Sequence, residues 1–494
     1  MQILVIDVGT SSMRGILYRE DGQVLTQQQR SYQVERSGDS VEQDAALLGE
    51  NMEDIIRAIA AEWRMDAISL TAQRSSVIAL GRDGQPLHKA LMWQDKRSAA
   101  ICQTLQGQAA QIYSICGMKP TPVFSAPKMQ WMKENLPEVY KKAEKLVGFQ
   151  EYLLHQMTGQ YCTDSSLASR TCLYDISRQQ WSEELVDCFG LDKAKLCQLV
   201  PVGSVCGQTT PEFNRRCGLP NGIPVVSAGG DQQCAAMGLG CVQGGSAEVN
   251  SGTGSFLIAL CQQPVFDPKM RVMCNVSAIE GLWILEGATL SSGTALQWLN
   301  QLLFPESGDS FQAFDQACRT VPPGANGLLC VPSFAGKGAP DWDSWTRGVF
   351  HNLRLDHTRG EFARALLEGI AGEMWDCLEV VQELLEGQVA QLYSAGGLTK
   401  NPDYNQLLAD NLNLPVYNPS NREATSLGGW ISAAVALGLY GSYQQAHKAV
   451  GTAARQYRPN PERTAVYRRH NAARRYLYES IDAQHLQQLL QGDR

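Results

Sequence analysis

Asp7 is followed within five positions by Gly9, Thr10, Ser11 and Ser12, an acid beside a small-residue turn that can bare N–H groups and hydroxyls to an anion. Phosphate cradled by those donors, with a divalent cation between it and Asp7, is the chemistry such a group supports; taken alone, a surface hairpin with no ligand explains it equally. A second copy decides between them. Asn250-Ser251-Gly252-Thr253-Gly254 lies over Asp7 to Ser11 in the same strand, turn, strand setting. Two phosphate-type hairpins in one chain predict a duplicated fold with nucleotide held in the cleft between its halves.

Four other places carry candidate ligand contacts. Gly229-Gly230-Asp231-Gln232-Gln233 sits between an apolar run and a small-residue helix. An Asp there is an ordinary helix cap in most proteins; here the glycines allow close approach of a ligand and a phosphate hairpin follows soon after, so Asp231 reads as a general base. Thr71 to Ser76 is a polar cluster at a strand end, where α/β folds gather ligand contacts; Arg74 either meets substrate oxygens or pairs with a surface carboxylate. Trp93 either walls a sugar site or packs in the core. Gly396-Gly397-Leu398-Thr399-Lys400-Asn401 either passes a purine or ribose or is a plain turn.

The elements that must position these residues follow from periodicity. Ile3 to Ile6 and Ile16 to Tyr18 read as paired strands, Gln23 to Tyr32 as a third, Asp44 to Ala60 as a helix buried along Leu48, Met52, Ile55, Ile56 and Ile59, and Ala67 to Leu70 as a strand. Val77 to Leu80 and Ala90 to Trp93 predict a hairpin. A helix begins at Ser125 with Lys128 and Trp131 on one face, and Leu146 to Met157 reads as a helix or a strand and helix. Val225 to Ala228 is a strand before the helix Cys234 to Leu239.

The second half repeats this alternation. Ala247 to Leu260 is the second hairpin, Trp283 to Leu285 and Gly324 to Pro332 are strands, and Ala295 to Phe304 is a helix. Ala335 to Arg347 is a loop, and Arg359 to Leu385 a long helix with Phe362, Leu366, Ile370, Leu378, Val381 and Leu385 inside. Leu392 to Ala395 is a strand and Asn405 to Leu412 a helix. The tail from Tyr443 is helical, with Arg468, Arg469, Arg474 and Arg475 on a solvated face.

Composition bounds the rest. At 494 residues and 44% hydrophobic content the chain supports two or three domains with real cores. A net charge of -8, dispersed along the sequence, argues against a nucleic-acid surface and for small-molecule partners. The 15 cysteines contain no C-x-x-C pair and read as reduced core thiols of a cytoplasmic protein. No secretory leader is legible at the start, and Leu427 to Tyr440 is too short and glycine-broken for a membrane span, so it reads as a buried helix.

In order and over nearly the whole length, these pieces resemble the FGGY carbohydrate kinases. The resemblance implies an α/β fold of two actin-like (ribonuclease H-like) domains with an interdomain cleft: residues 1–242 for the sugar and the catalytic base, residues 243–494 for the nucleotide, with the helical tail. Asp7 to Arg14 looks like the family's first phosphate loop and Gly252-Thr253-Gly254 like the second. Gly230 to Gln233 is similar to the glycerol kinase catalytic segment, which implies Asp231 as the base and Gln232 as a substrate contact. Nucleotide contacts are implied at Thr10, Ser11, Arg14, Thr253, Gly293, Gln297, Gly397 and Asn401, Mg²⁺ at Asp7, and sugar at Arg74, Trp93, Asp231 and Gln232.

Ser125-x-x-Lys128-x-x-Trp131 and the run from Glu361 to Glu368 resemble the family's two signatures, with Asn352 where a Gly is usual. Ser75 stands where glycerol kinase has its glycerol-binding Glu, Val123 where it has a Tyr, and the Met-His-Gly of xylulokinases is absent. A longer acceptor than glycerol is implied.

The expected reaction is transfer of the ATP γ-phosphoryl group to a hydroxyl, a primary one, of a sugar or polyol, with closure of the halves excluding water. Two other classes use related text: actin-like or chaperone-type ATPase switches, which do not need Arg74, Trp93 and Asp231-Gln232 together, and sugar sensors, which do not need Asp7, Thr10, Thr253 and Asp231. Family members are often dimers or tetramers, so a homodimer is an expectation, although no self-complementary face is legible.

Overall fold

The computed structural model describes residues 1–220, 222–308, 310–421, 423–451 and 453–491. Ile3, Leu4, Val5 and Ile6 are completely buried, since their strand β1 (Gln2–Val8) lies inside a six-stranded sheet. β2 (Ser12–Arg19) and β3 (Val24–Ser31) continue from it as an antiparallel meander. A further short hairpin, Glu35–Ser37 with Ser40–Gln43, precedes α1; periodicity did not reveal it. α1 (Ala45–Ala60) starts at Asp44, whose carboxylate accepts from Ala46 N and Leu47 N, and buries Leu48, Met52, Ile55, Ile56 and Ile59 as read.

β4 (Ala67–Ala72) lies parallel to β1. α2 (Phe149–Thr158) and β5 (Cys162–Asp164) follow, and β6 (Val205–Gln208) and β7 (Pro224–Gly230) complete the sheet in the order β6-β7-β4-β1-β2-β3. α3 (Asp231–Leu239) leaves the end of β7. The expected hairpin between Val77 and Trp93 forms only as isolated antiparallel bridges, Val77 with Leu91 and Leu80 with Pro86, while the regular ladders lie elsewhere: Ile78–Leu80 pairs with Lys145–Val147 and Ala90–Leu91 with the strand Ser40–Gln43.

The chain divides into two units, the first holding Met1–Gln243, Cys261–Ile284 and Glu423–Thr452. The last of these segments brings the helix Ala424–Ala436 against β4, where Ser69 Oγ donates to Gly429 O at 2.7 Å. It crosses α3 at backbone contact. A Cβ on Gly428 would stand 1.9 Å from Cys234 O, and one on Gly238 2.0 Å from Ala424 O, so only glycine fits at either crossing position.

The second unit is Gly244–Leu260, Leu285–Arg422 and Ala453–Arg494. Its strands are β8 (Ser246–Ser251), β9 (Ser255–Cys261), β10 (Trp283–Thr289), then, past α4 (Gly293–Leu303) and α5 (Arg359–Leu384), β11 (Gln391–Ala395). After α6 (Pro402–Leu412) come β12 (Val416–Pro419), β13 (Ala454–Tyr457) and α7 (Pro461–Glu479).

Hydrogen bonding orders these strands β10-β9-β8-β11-β12-β13, with β8 and β11 parallel, β11 and β12 parallel, and β12 and β13 antiparallel. The first sheet, read β3-β2-β1-β4-β7-β6, has the same plan. The duplication read from two hairpins therefore extends to six strands of each sheet, the second sheet having seven in all.

Two expectations for the second unit are corrected. The tail is not helical throughout, because β13 interrupts it. Nor are its arginines one solvated face: Arg468 and Arg469 are exposed, but Arg474 is only 2% exposed and donates to Asp376 Oδ1 at 2.7 Å. Asp376 also faces Lys337 Nζ, which lies 2.6 Å from Asp341 Oδ2. Phe362 is only half-buried in α5, whereas Leu366, Ile370, Leu378, Val381 and Leu385 are in the core. Among the described residues no helix is long and apolar enough to cross a membrane, and all fifteen cysteines are free thiols, fourteen of them buried.

Candidate active site

In the first unit the β1–β2 register sets Asp7 opposite Arg14 across the turn Gly9-Thr10-Ser11. The turn is braced from three sides. Gly9 O accepts from Tyr32 OH and Gln73 Nε2, Thr10 O accepts from Gln43 Nε2 at 3.4 Å, and Tyr32 N donates to Ser11 O. Ser11 itself is exposed. Trp93 reaches the same turn, its indole Nε1 donating to Thr10 Oγ1 at 3.3 Å.

Asp231 stands at the carboxyl end of β7, beside the end of β4 that leads into Arg74. Arg74 is buried, with Nε 3.5 Å from Asp231 Oδ1 and Nη1 donating to Gln233 Oε1. Gly230 makes this possible. A Cβ there would lie 2.8 Å from Cγ and Cδ of Arg74, closing the path of its stem. Gln232 donates its backbone N–H to Asp231 Oδ1, while its own Oε1 is a buried acceptor with no protein partner among the described residues. Ser75, at φ 69°, donates from Oγ to Arg170 O.

The charges in this group are unbalanced toward acid. Burial, the neighbouring Asp231 and, more weakly, Glu423 push the Asp7 carboxyl up to about 7, against which Arg14 pulls it down. Arg14 Nη1 in turn donates to Glu423 Oε2 at 2.5 Å. Sequence reasoning did not find Glu423 or Gln43, and it took in Gln73 and Gln233 only as members of the Thr71 to Ser76 and Gly230 to Gln233 stretches, without a role of their own. Glu423 lies 409 positions from its partner, and Gln43 carries no motif. Lys128 is fully buried and donates to the carbonyls of Val123 and Phe124, at 2.5 and 2.9 Å, holding the loop before its helix.

The second unit gathers the other named stretches. The turn between β8 and β9 is clamped to the start of α4: Gly293 N donates to Gly252 O, and Ser292 N and Thr294 N donate to Thr253 O. Gly293 is required there, since a Cβ would fall 2.5 Å from Gly252 O. Ser255 Oγ donates to Ser292 Oγ, and Ser255 N to Thr289 Oγ1.

The turn after β11 reaches the same place, with Leu398 Cδ1 within 3.4 Å of a Cβ built on Gly293 and Gly396 packed on Ser251 O. Thr253, Gln297 and Gly397 are exposed. The Asn401 side chain is engaged within the protein, accepting from Asp403 N as the cap of α6 and donating to Asp315 Oδ1.

The two units, each with a glycine-threonine turn joining two strands of its sheet, match known proteins along most of the chain. Residues 2–238 match the N-terminal domain and residues 247–437 the C-terminal domain of the FGGY family of carbohydrate kinases. The chain belongs to that family, has its two-domain fold, and is a carbohydrate kinase. It is 30% identical over 474 residues to the xylulose kinase of Lactococcus lactis, covering 94% of each chain. It is 33% identical over 457 residues to the glycerol kinase of Trichlorobacter lovleyi, covering 89% of this chain and 90% of that one. Among solved structures, a ligand-bound xylulose kinase from Lactobacillus acidophilus superposes with a TM-score of 0.91 at 26% identity, over 97% of this chain and 98% of that one.

Proposed function

We propose that this kinase moves the γ-phosphoryl group of ATP to a hydroxyl, a primary one, of a sugar or polyol, with Asp231 as general base. The observation that carries the proposal is the contact of Arg74 with Asp231 at a strand end, beside an acceptor atom of Gln232 that has no protein partner among the described residues. The acceptor oxygen attacks the γ-phosphorus as its proton passes to Asp231 and the bond to ADP breaks. Arg74 orients the carboxylate and hydrogen-bonds the acceptor, Gln232 takes a hydroxyl, and the Trp93 face lines the sugar. The Gly9 to Ser12 turn and Arg14 bind phosphate oxygens, which serves a reaction that depends on positioning and charge neutralisation.

Mg²⁺ fits this group. Asp7 is a carboxylate crowded by two others, a condition a cation relieves, and among the described residues no cluster of three or more His, Cys, Asp or Glu forms a closed protein site. A magnesium ion held by one or two carboxylates and completed by phosphate oxygens and water is the usual arrangement. Asp7 would hold it, and when bound it supplies neutralisation of phosphate charge.

The adenosine contacts are assigned to the second unit through Thr253, Gly293, Gln297, Gly397 and, by its backbone, Asn401. Ser75 and Val123, both small for the positions they occupy, favour an acceptor longer than glycerol. Fifteen unbonded thiols suit a reducing cytoplasm.

The test is ADP release with Mg-ATP across glycerol, erythritol, ketopentoses, ketohexoses, deoxy sugars and sugar acids, beside a blank without acceptor. One acceptor well above the blank supports the proposal and names the substrate. Blank rates throughout, with ATP bound, would transfer the case to an ATPase switch or a sensor.

A further inference from the structure

β7 does not run straight into Asp231. Its register with β4 slips between Ser227 and Gly229, Gly229 takes φ 112°, and Thr71 Oγ1 donates to Gly229 O at 2.8 Å. A bend of this kind lies outside the regular ladder and needs other partners to fix its angle.

Those partners converge on one carboxylate. Asp164, at the end of β5, is fully buried. Its Oδ2 accepts from Ser227 Oγ at 2.6 Å and from Gln150 Nε2 at 2.9 Å. Its Oδ1 accepts from Ser166 Oγ at 2.5 Å, and from Ser166 N and Leu167 N. Ser166 Oγ has spent its proton on Asp164 and so presents a lone pair to Gly230 N, which donates to it at 3.0 Å.

One carboxylate thus grips the chain before the slip, through Ser227, and after it, through Ser166. A residue that only capped the short helix Ser165–Ala168 would use its oxygens on that helix; here Oδ2 is spent wholly outside it. The fit is tight as well, since a Cβ on Gly229 would stand 2.9 Å from Ser166 Oγ.

We propose that Asp164, through Ser166 and Ser227, is a positioning residue that sets the direction of Asp231. The inference rests on Asp231 being the base, and its test separates the two. Ser166→Ala removes the hydroxyl that links Asp164 to Gly230 and leaves the capping carboxylate in place; Asp164→Asn replaces one oxygen with a donor that faces donors.

In the full-length protein, hydrogen–deuterium exchange is expected to speed up in both variants over residues 228–234 and to stay as wild type over residues 45–60. Unchanged exchange at 228–234 overturns the proposal, whatever the kinetics. In ADP release with D-xylulose and with glycerol, Ser166→Ala should lower kcat by roughly 10- to 100-fold, the scale of a misplaced group, with KM for ATP unchanged.

Combined with Asp231→Asn, Ser166→Ala should cost little more than Asp231→Asn alone. Losses that multiply in the double variant would show that Ser166 acts elsewhere. A wild-type rate for Asp231→Asn would instead remove the base assignment and leave the exchange result to judge the positioning by itself.

Discussion

Arg14, on the second strand of the chain, is ion-paired with Glu423, which stands at the start of a helix near the far end of the sequence. Both side chains are about one-third exposed, so the pair contributes only about 0–1 kcal/mol to stability. Its effect falls on where the guanidinium points. Glu423→Gln should therefore leave the melting temperature nearly unchanged while raising KM for ATP several-fold. An unchanged KM would show that Arg14 needs no such guide or does not meet the nucleotide.

Asp7→Asn makes a prediction of opposite sign for stability and activity. A carboxyl raised to about 7 in the folded protein holds its proton where the unfolded chain has already lost it. Stability then falls as pH climbs from the ordinary carboxylate range toward 7, at ~1.4 kcal/mol for each pH unit, and the loss is complete above 7. Without Mg-ATP the variant should melt higher than wild type at pH 8, with the gap closing by about pH 4. Its turnover should drop sharply. Equal melting at pH 8 would mean that the acids around Asp7 do not strain the free protein.

Asp231→Asn keeps the shape and removes the base, so kcat should fall about 10²- to 10⁴-fold. Near wild-type turnover, with the melting temperature preserved, would retire Asp231 from that role.

Gly397 distinguishes a ligand contact from a packing glycine. Its φ of -62° is open to any residue, and no atom lies within 4 Å of a Cβ built there. Gly397→Ala should hold or slightly raise stability, by about 0.4–1 kcal/mol. If nucleotide passes close to this backbone, KM for ATP must rise. A variant equal to wild type in both respects would take Gly397 out of the nucleotide site.

The buried charges around Asp376 should behave quite differently from exposed ones. Arg474→Met removes the buried partner of Asp376 and leaves it only the longer contacts with Lys337, at 3.4 Å, and the partly exposed Arg475, at 3.7 Å; breaking such a buried pair costs about 3–5 kcal/mol. Denaturant unfolding should register that loss, while Arg468→Met on the exposed side of the same helix should shift it by less than about 0.5 kcal/mol.

Much of this was legible in the sequence because it is local. The hairpins announce themselves by apolar runs around Gly-Thr turns, α1 by its spacing, and Asp231 by the glycines before it. What stayed hidden depends on partners far along the chain. Nothing near Arg474 distinguishes it from Arg468; only the fold sets Asp376 against one and water against the other. The run Val77 to Leu80 looked like half of a hairpin because its nearest apolar neighbour follows closely, yet a strand some 65 residues later supplied the better ladder. Glu423 was illegible for the same reason. Asp164 did carry a local sign, an Asp before two serines as at many helix starts, but that sign describes Oδ1 and is silent about Oδ2.

The glycine crossing of α3 with the helix Ala424–Ala436 bears on how the molecule is made. The first sheet is finished when residue 230 leaves the ribosome, but the helix that covers β4 and meets α3 is translated nearly two hundred codons later. Until then Ser69, Cys234 and the apolar face of β4 lack their cover, so the nascent first unit has to wait, partly bare, for most of the second to be synthesised. A fragment ending near residue 243 would be caught permanently in that state.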